Sequence, residues 1–329
     1  MHPSQRAAPP TIRALDWGEL AASRLGANWL ARVWEATPES LLLVDQSGEV
    51  VHLVTPAIGN GPFRVVVPEE AAARWESLPR DFYTWRVRGD LWLGDNLTLS
   101  LPEQSPWSSA LSWEGPPATV DEILLSRHLA LLGDWLMARA PEATIGGILP
   151  DLLNMEPPSR HLSDLPGTER LFRWRASRAL TAFLESMVSG DLAAGERAVN
   201  SLAGLGPGSP PVGDSFILGF MAGVQLWPEF VRQGSGLRIS GLLPRLARSA
   251  AERTSPLGRA SLLAALGGQW SARWHELYAA LTANGPYADE IHRQIEQVAA
   301  LWLAQDKGEG SAALTGVVIP FLWFQRFLV

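Results

Sequence analysis

The chain changes its hydrophobic rhythm about a third of the way along. Up to residue 101, apolar residues come in short runs broken by turn formers. LLLVD (41–45) and EVVHLVTP (49–56) read as two strands joined through Ser47-Gly48, a pair with hairpin-turn chemistry. IGNGP (58–62) is a second turn, and it leads into FRVVVP (63–68). YTWRVR (83–88) alternates large apolar and polar residues, the period of a half-buried strand. LWLGDNLTLSL (91–101) breaks at Gly-Asp-Asn and resumes, as a hairpin does. The segment 14–36 is ambiguous: it holds helix formers, yet NWLARVWEA (28–36) can be a first strand. Short strands at this spacing predict a small barrel or sandwich.

A stretch with four prolines, PEQSPWSSALSWEGPPA (102–118), ends this rhythm. After it, apolar positions recur every three and four residues, beginning with VDEILLSRHLALLGDWLMARA (120–140), which Thr119 or Asp121 can cap. The segment 146–168 is rich in loop formers, with Pro150, Pro157, Pro158, Pro166 and Gly167. Further helices are predicted near 169–187, 191–203, 214–227, 239–252, 256–267, 271–283, 287–304 and 311–328. There is no internal repeat. Strands segregated from helices along the chain give an α+β class, an N-terminal small β-barrel or sandwich-like module followed by a mainly α-helical domain. The expected division is a disordered tail at 1–14, a β-rich domain at 15–115 and a helical domain at 116–329.

Composition narrows the chemistry. With 329 residues, 47% apolar and 19% charged, the chain has the make-up of a folded protein of two domains. Fifteen Trp imply a large buried area, though the Trp-rich stretch 85–113 can also present a partner surface. The net charge of −7 and the lack of a basic block argue against nucleic acid as a partner. The absence of cysteine excludes thiolate nucleophiles, Cys-based zinc sites and iron–sulfur clusters. His128, His161, His275 and His292 form no HxxxH or HExxH pattern, and no GxSxG is present, so neither a metal site nor a serine nucleophile is expected. No cofactor is implied. MHPSQRAAPP lacks the apolar core of a signal peptide. The most apolar segment, AALTGVVIPFLWFQRFLV (312–329), contains Pro, Gln and Arg and reads as a terminal helix packed in a core, not a membrane span.

The strongest local signal is GLGPGSPPVGDSFILGFMAG (204–223). Gly204, Gly206, Gly208 and Gly213 are interleaved with Pro207, Pro210 and Pro211, and Asp214 stands where a helix N-cap belongs. A helix start behind a glycine loop attracts anions through its free N–H groups and dipole. The spacing is neither a Walker loop nor GxGxxG, and each proline removes a donor. The same residues also suit a rigid turn between helices, with Gly219 and Gly223 allowing close packing. Thr254 and Ser255, before PLGRASLLAAL, offer either a second contact or a plain N-cap with Pro256 in the first turn. Glu309, in KGEGS, reads as a solvated glycine turn before the last helix.

GLGPGSPPVGDSFILGF resembles GLGPGLTPSGDDFLAG, the signature of the AllH family. LVTPAIGNGPFRVVV (53–67) is similar to the family's N-terminal strand–GNGP–strand, and Thr254-Ser255 before LLAALGGQW resembles its Thr-Ser segment. The three, in order, span roughly 29–320. The resemblance implies a cytoplasmic subunit of oxamate carbamoyltransferase, moving a carbamoyl group between oxamate and phosphate in purine catabolism. It implies FdrA-like and other subunits as partners. It further implies a small anionic metabolite, carbamoyl phosphate or oxamate, held at Gly206, Gly208, Gly213, Ser215, Thr254, Ser255 and Gly310, with Asp214 as the catalytic group.

The chain departs from the pattern in its polar residues. Pro210, Val212 and Ser215 replace a Thr, a Ser and an Asp. In DKGEGSAALTG, where the family shows GHSSG and then an Asp, Lys307 replaces the His and Ala312 that Asp. Each lost polar partner costs a ligand on the order of 1–3 kcal/mol. Three readings therefore stand: a carbamoyltransferase subunit binding its substrate, a non-catalytic relative serving as an interaction or scaffold subunit, and an unrelated small-anion-binding module.

Overall fold

The computed structural model describes residues 9–26, 28–75, 78–87, 89–94, 97–111, 122–154, 165–226, 234–284, 288–304 and 308–327. The caps expected at Thr119 or Asp121, the loop residues Pro157 and Pro158, His161 and Lys307 lie outside them. The chain divides into two units: Met1–Leu111 with Gln269–Trp274, and Ser112–Gly268 with His275–Val329.

The first unit is one nine-stranded sheet. In chain order it holds β1 (Thr11–Arg13), β2 (Asp16–Trp17), α1 (Glu19–Arg24), β3 (Leu30–Ala36), β4 (Ser40–Asp45), β5 (Val50–Val54), β6 (Arg64–Val66), α2 (Glu69–Trp75), β7 (Tyr83–Val87), β8 (Asp90–Leu93) and β9 (Leu97–Ser100). The strand order is β1-β9-β8-β7-β3-β4-β5-β6-β2. Its two edge strands are consecutive in the chain, separated by Ala14 and Leu15 alone. Ala14 N donates to Ser100 O at 2.9 Å and Leu15 N to Val66 O at 2.8 Å, so the ladder runs on across the connector. The sheet thus curls until both edges meet on one segment, the barrel alternative of the expected fold.

Alternation explains the interior. Ala31 and Val33 of β3, Val51 and Leu53 of β5, and Leu91 and Leu93 of β8 point into one core with Ala21 of α1, Leu25 just after it, and Ala71, Ala72 and Trp75 of α2. A bulge between Val33 and Glu35 bends β3. β4 and β5 have buried residues on both faces, so LLLV runs without a polar alternate and VVHLV carries only the buried His52. Segment 14–36 resolves into strand, helix and strand. β1 lies inside the stretch 1–14 expected as a tail, because Thr11–Arg13 pair with β9. Gln269–Trp274 pair here too, through Trp270 N to Ser109 O (2.8 Å) and Ala272 N to Asn60 O (3.0 Å).

The second unit is helical: α3 (Glu122–Arg139), a 3₁₀ turn (Gly146–Ile148) leading into α4 (Leu149–Asn154), α5 (Gly167–Ser189), α6 (Leu192–Leu202), α7 (Val212–Leu226), α8 (Gly234–Ala251), α9 (Pro256–Leu266), α10 (Ala272–Leu281, its first turn counted with the first unit), α11 (Ala288–Ala304) and α12 (Glu309–Phe327). Its centre is the pair α7–α12. Residues 212–224 and 310–321 are buried without a break, which is why both segments are apolar on every face apart from Asp214, Ser215, Ser311 and Thr315. Gly219 and Gly223 meet the carbonyls of Ala313 and Val317, and Gly316 meets that of Phe216, at distances that leave no room for a Cβ. Phe183, Phe216 and Phe220 stack beside this crossing, with ring centroids 4.8–6.2 Å apart. Residues 312–321 of the apolar C-terminal segment therefore lie in a core helix. Among the described residues no helix is long and apolar enough to cross a membrane.

Candidate functional site

The glycine loop between α6 and α7 follows from its residues. Gly204, Gly206 and Gly208 take φ of 70°, 83° and 105°, a region closed to most side chains. The Ser209–Pro210 bond is cis. These turns fold the loop back on the start of α7. Val212 N donates to Pro207 O at 3.1 Å, Gly213 N to Leu205 O at 2.9 Å, and Asp214 N and Ser215 N to Pro211 O at 3.0 and 3.1 Å. The first four N–H groups of the helix, the donors an anion would use, are thus taken by the loop's own carbonyls.

Asp214 is not the N-cap. The helix begins at Val212 because Pro211 already supplies the first acceptor, and Asp214 falls in its first turn. Its side chain turns away from its own helix. Oδ1 accepts from Gly204 N at 3.1 Å, and Oδ2 accepts a short hydrogen bond from Thr254 Oγ1. The residue is fully buried. Burial raises its pKa to about 6 from 3.8, outweighing the two hydrogen bonds that favour the charged form. The carboxylate ties loop, α7 and the start of α9 into one clasp. Gly258 belongs to it: any Cβ there would collide with the Asp214 carboxylate and the Thr254 hydroxyl.

The other expected residues divide by role. Ser255 caps α9 by accepting from Gly258 N at 3.1 Å, with Pro256 in the first turn. Ser215 is buried, and its hydroxyl donates to Pro211 O at 3.4 Å. Gly213 lies against the Leu202 carbonyl, Gly310 against that of Trp302, and Gly206 against the Phe172 ring. Gly208 differs, because what it faces is a carboxylate. Glu309, the first residue of α12, is no solvated turn. Its Oε1 accepts from Ser209 N at 2.8 Å and lies where a Gly208 Cβ would be.

A second polar layer lies next to it. Ser311 Oγ accepts from Gly146 N at 2.9 Å and is 2.8 Å from Thr144 Oγ1. The turn that carries Thr144 is held by the buried guanidinium of Arg173, which donates to Glu142 O (3.0 Å) and Gly147 O (3.2 Å) and pairs with Asp151 (3.0 Å). The structure therefore brings together four segments, around 144, 204–215, 254–258 and 309–311. Gly258, Ser311 and Arg173 carry no local sequence signal, since each matters only through a partner distant in the chain. Of the histidines, His128 is buried, with Nδ1 2.8 Å from Leu281 O. Among the described residues no three His, Cys, Asp or Glu gather as metal ligands do.

Comparison with curated proteins and with solved structures finds no match. Among family models one does match, over residues 202–318, a segment that takes in the loop, Asp214, Thr254, Gly258, Glu309 and most of α12. The strand–GNGP–strand segment at 53–67 lies outside it. Over residues 202–318, then, the resemblance carried by the glycine loop is borne out, and the family is the one described as oxamate carbamoyltransferase subunit AllH.

Proposed function

We propose that this chain is an AllH-like subunit of a cytoplasmic carbamoyltransferase complex. The complex handles oxamate and carbamoyl phosphate in purine catabolism, and FdrA-like subunits are its partners. The observation that carries the reading is that the matched segment includes the whole clasp, from the loop through Asp214 and Thr254 to Glu309.

Between a substrate-binding and a scaffolding role, the geometry favours the second for most of the loop. The α7 amides donate within the loop, and both Asp214 oxygens are engaged. Where a small anion would meet the loop is the Gly208–Ser209 turn, on the amide that Glu309 now holds.

Reconstitution of this chain with its FdrA-like partners, assayed for carbamoyl phosphate, tests the proposal. Activity is expected with this chain present and not without it. Asp214→Asn is expected to lower the yield of assembled complex while leaving turnover per assembled complex within about threefold. A drop of about 100-fold or more in turnover of the assembled variant would make Asp214 a chemical participant. No carbamoyl phosphate from the complete set of subunits would remove the carbamoyltransferase reading.

A further inference from the structure

A sheet whose outer face meets water carries polar residues there. Strands β3, β7 and β8 do not obey this. Their inward positions, Ala31, Val33, Thr84, Leu91 and Leu93, are buried. Their outward positions hold Arg32 and Asp90 but otherwise Leu30, Trp34, Tyr83, Trp85, Val87 and Trp92. The first five of these six are 38%, 40%, 58%, 37% and 39% exposed, and Trp92 is half-buried. The register makes these neighbours: Leu30 lies opposite Trp85, and Trp85 opposite Trp92. Arg32, opposite Tyr83, lies on the same face, with its guanidinium 5.3 Å from the Trp34 ring centre and 2.9 Å from Asp81. The result is an aromatic patch that contains Arg32, paired with Asp81, and is bordered by Asp90 opposite Val87.

We propose that this face of the barrel docks a different protein subunit. This rests on the reading of the chain as one member of a complex. The area selects the occupant. An aromatic side chain offers about 150–250 Å², so at these exposures the patch presents roughly 400 Å². That is about half of the ~800 Å² per partner in a standard interface, and far below the apolar area of an obligate homodimer. It is the size of the desolvated centre of a heteromeric contact, and Trp, Tyr and Arg are the residues that dominate such centres. The face also states the partner's chemistry. Flat rings take aliphatic or proline side chains, while indole N–H, phenol O–H and the Arg32 guanidinium call for carbonyl or carboxylate acceptors between them.

The test is calorimetric titration of the full-length chain with its purified FdrA-like subunit, with light scattering on each component. Tyr83→Ser combined with Trp85→Ser should weaken binding at least about 30-fold. Ile123→Ser and Leu301→Ser, exposed apolar positions on α3 and α11, should leave it within about threefold. Radical footprinting of the wild-type complex covers the case of a variant that does not fold: Tyr83 and Trp85 should lose labelling on assembly. A complex that forms with affinity and labelling unchanged overturns the proposal. So does a free chain of twice the expected mass with Tyr83 already shielded, since a second copy would then be the occupant. If the wild-type chain binds no subunit at all, the complex-subunit reading falls, and this inference falls with it.

Discussion

The barrel and the helical unit bury ionisable groups in opposite ways. His52 on β5 is 5% exposed, and burial, with Arg64 alongside it, lowers its pKa to about 3 from 6.5. Asp214 on α7 is fully buried, and burial raises its pKa to about 6 from 3.8. Each is pushed towards its neutral form by the same desolvation, yet the consequences for stability run in contrary directions. The barrel sheds a proton on folding where the helical unit keeps one. The contrast extends to packing. The barrel is held by a ladder of strands, with a close backbone approach where Gly18 meets the Gly61 carbonyl, whereas the helical unit has close approaches along one helix pair, at Gly219, Gly223 and Gly316.

The sharpest way to break this comparison is at the helix crossing. Gly316→Val sets a branched side chain against the Phe216 carbonyl. It should cost about 4 kcal/mol or more. Segment-resolved hydrogen exchange should show α7 and α12 opening while β4 and β5 keep their protection. An equal loss in both units would mean that they unfold as one.

Of similar size are the two opposed pH responses. His52 is protonated more readily in the unfolded chain, so its contribution is complete above about pH 6.5 and is lost as pH falls towards 3. This amounts to about 5 kcal/mol. Asp214 is protonated more readily in the folded chain. Its contribution is complete below about pH 4 and is lost as pH rises through 6, about 3 kcal/mol. Denaturant melts between pH 3 and 7 should therefore show His52→Gln gaining on wild type as pH falls, and Asp214→Asn gaining as pH rises. Parallel curves for either variant would place its shift elsewhere. The smallest effect is at the loop. Glu309→Gln replaces a charged acceptor on Ser209 N by a neutral one, which should cost about 1 kcal/mol and speed exchange at that amide. An unchanged rate would mean that the charge contributes nothing there.

What the sequence made legible follows the range of the forces involved. β4, β5 and β7 could be read because their pattern is carried by neighbouring residues, α5, α6, α8 and α11 because three or more turns establish a period, and α7 and α12 because their apolar runs are too long for strands. β1 and β2, three and two residues long, cannot show alternation. α2, two turns of EEAAARW after Pro68, is too short to declare a helical face. At the loop, Gly and Pro announced a special backbone. Its contacts stayed hidden: Thr254 meets Asp214 across 40 residues, and Ser209 meets Glu309 across 100. Asp214 suits a cap by sequence because a cap is the local use of an aspartate before an apolar run. Pro211 already fills that role.

The segment 11–17 has one more consequence. It lies between the first and last edges of the sheet. Its pairing with β6 needs only residues 64–66, and its pairing with β9 needs residues 98–100. The stretch that precedes every other strand thus completes its pairing only when β9, the last strand, is there. Until then the sheet is an open ribbon with two unsatisfied margins, able to recruit any extended peptide. The barrel behaves like a belt whose buckle is threaded first and fastened at the end. Its rate of closure should be set by the longest loop it has to draw shut, and not by the stability of the strands between.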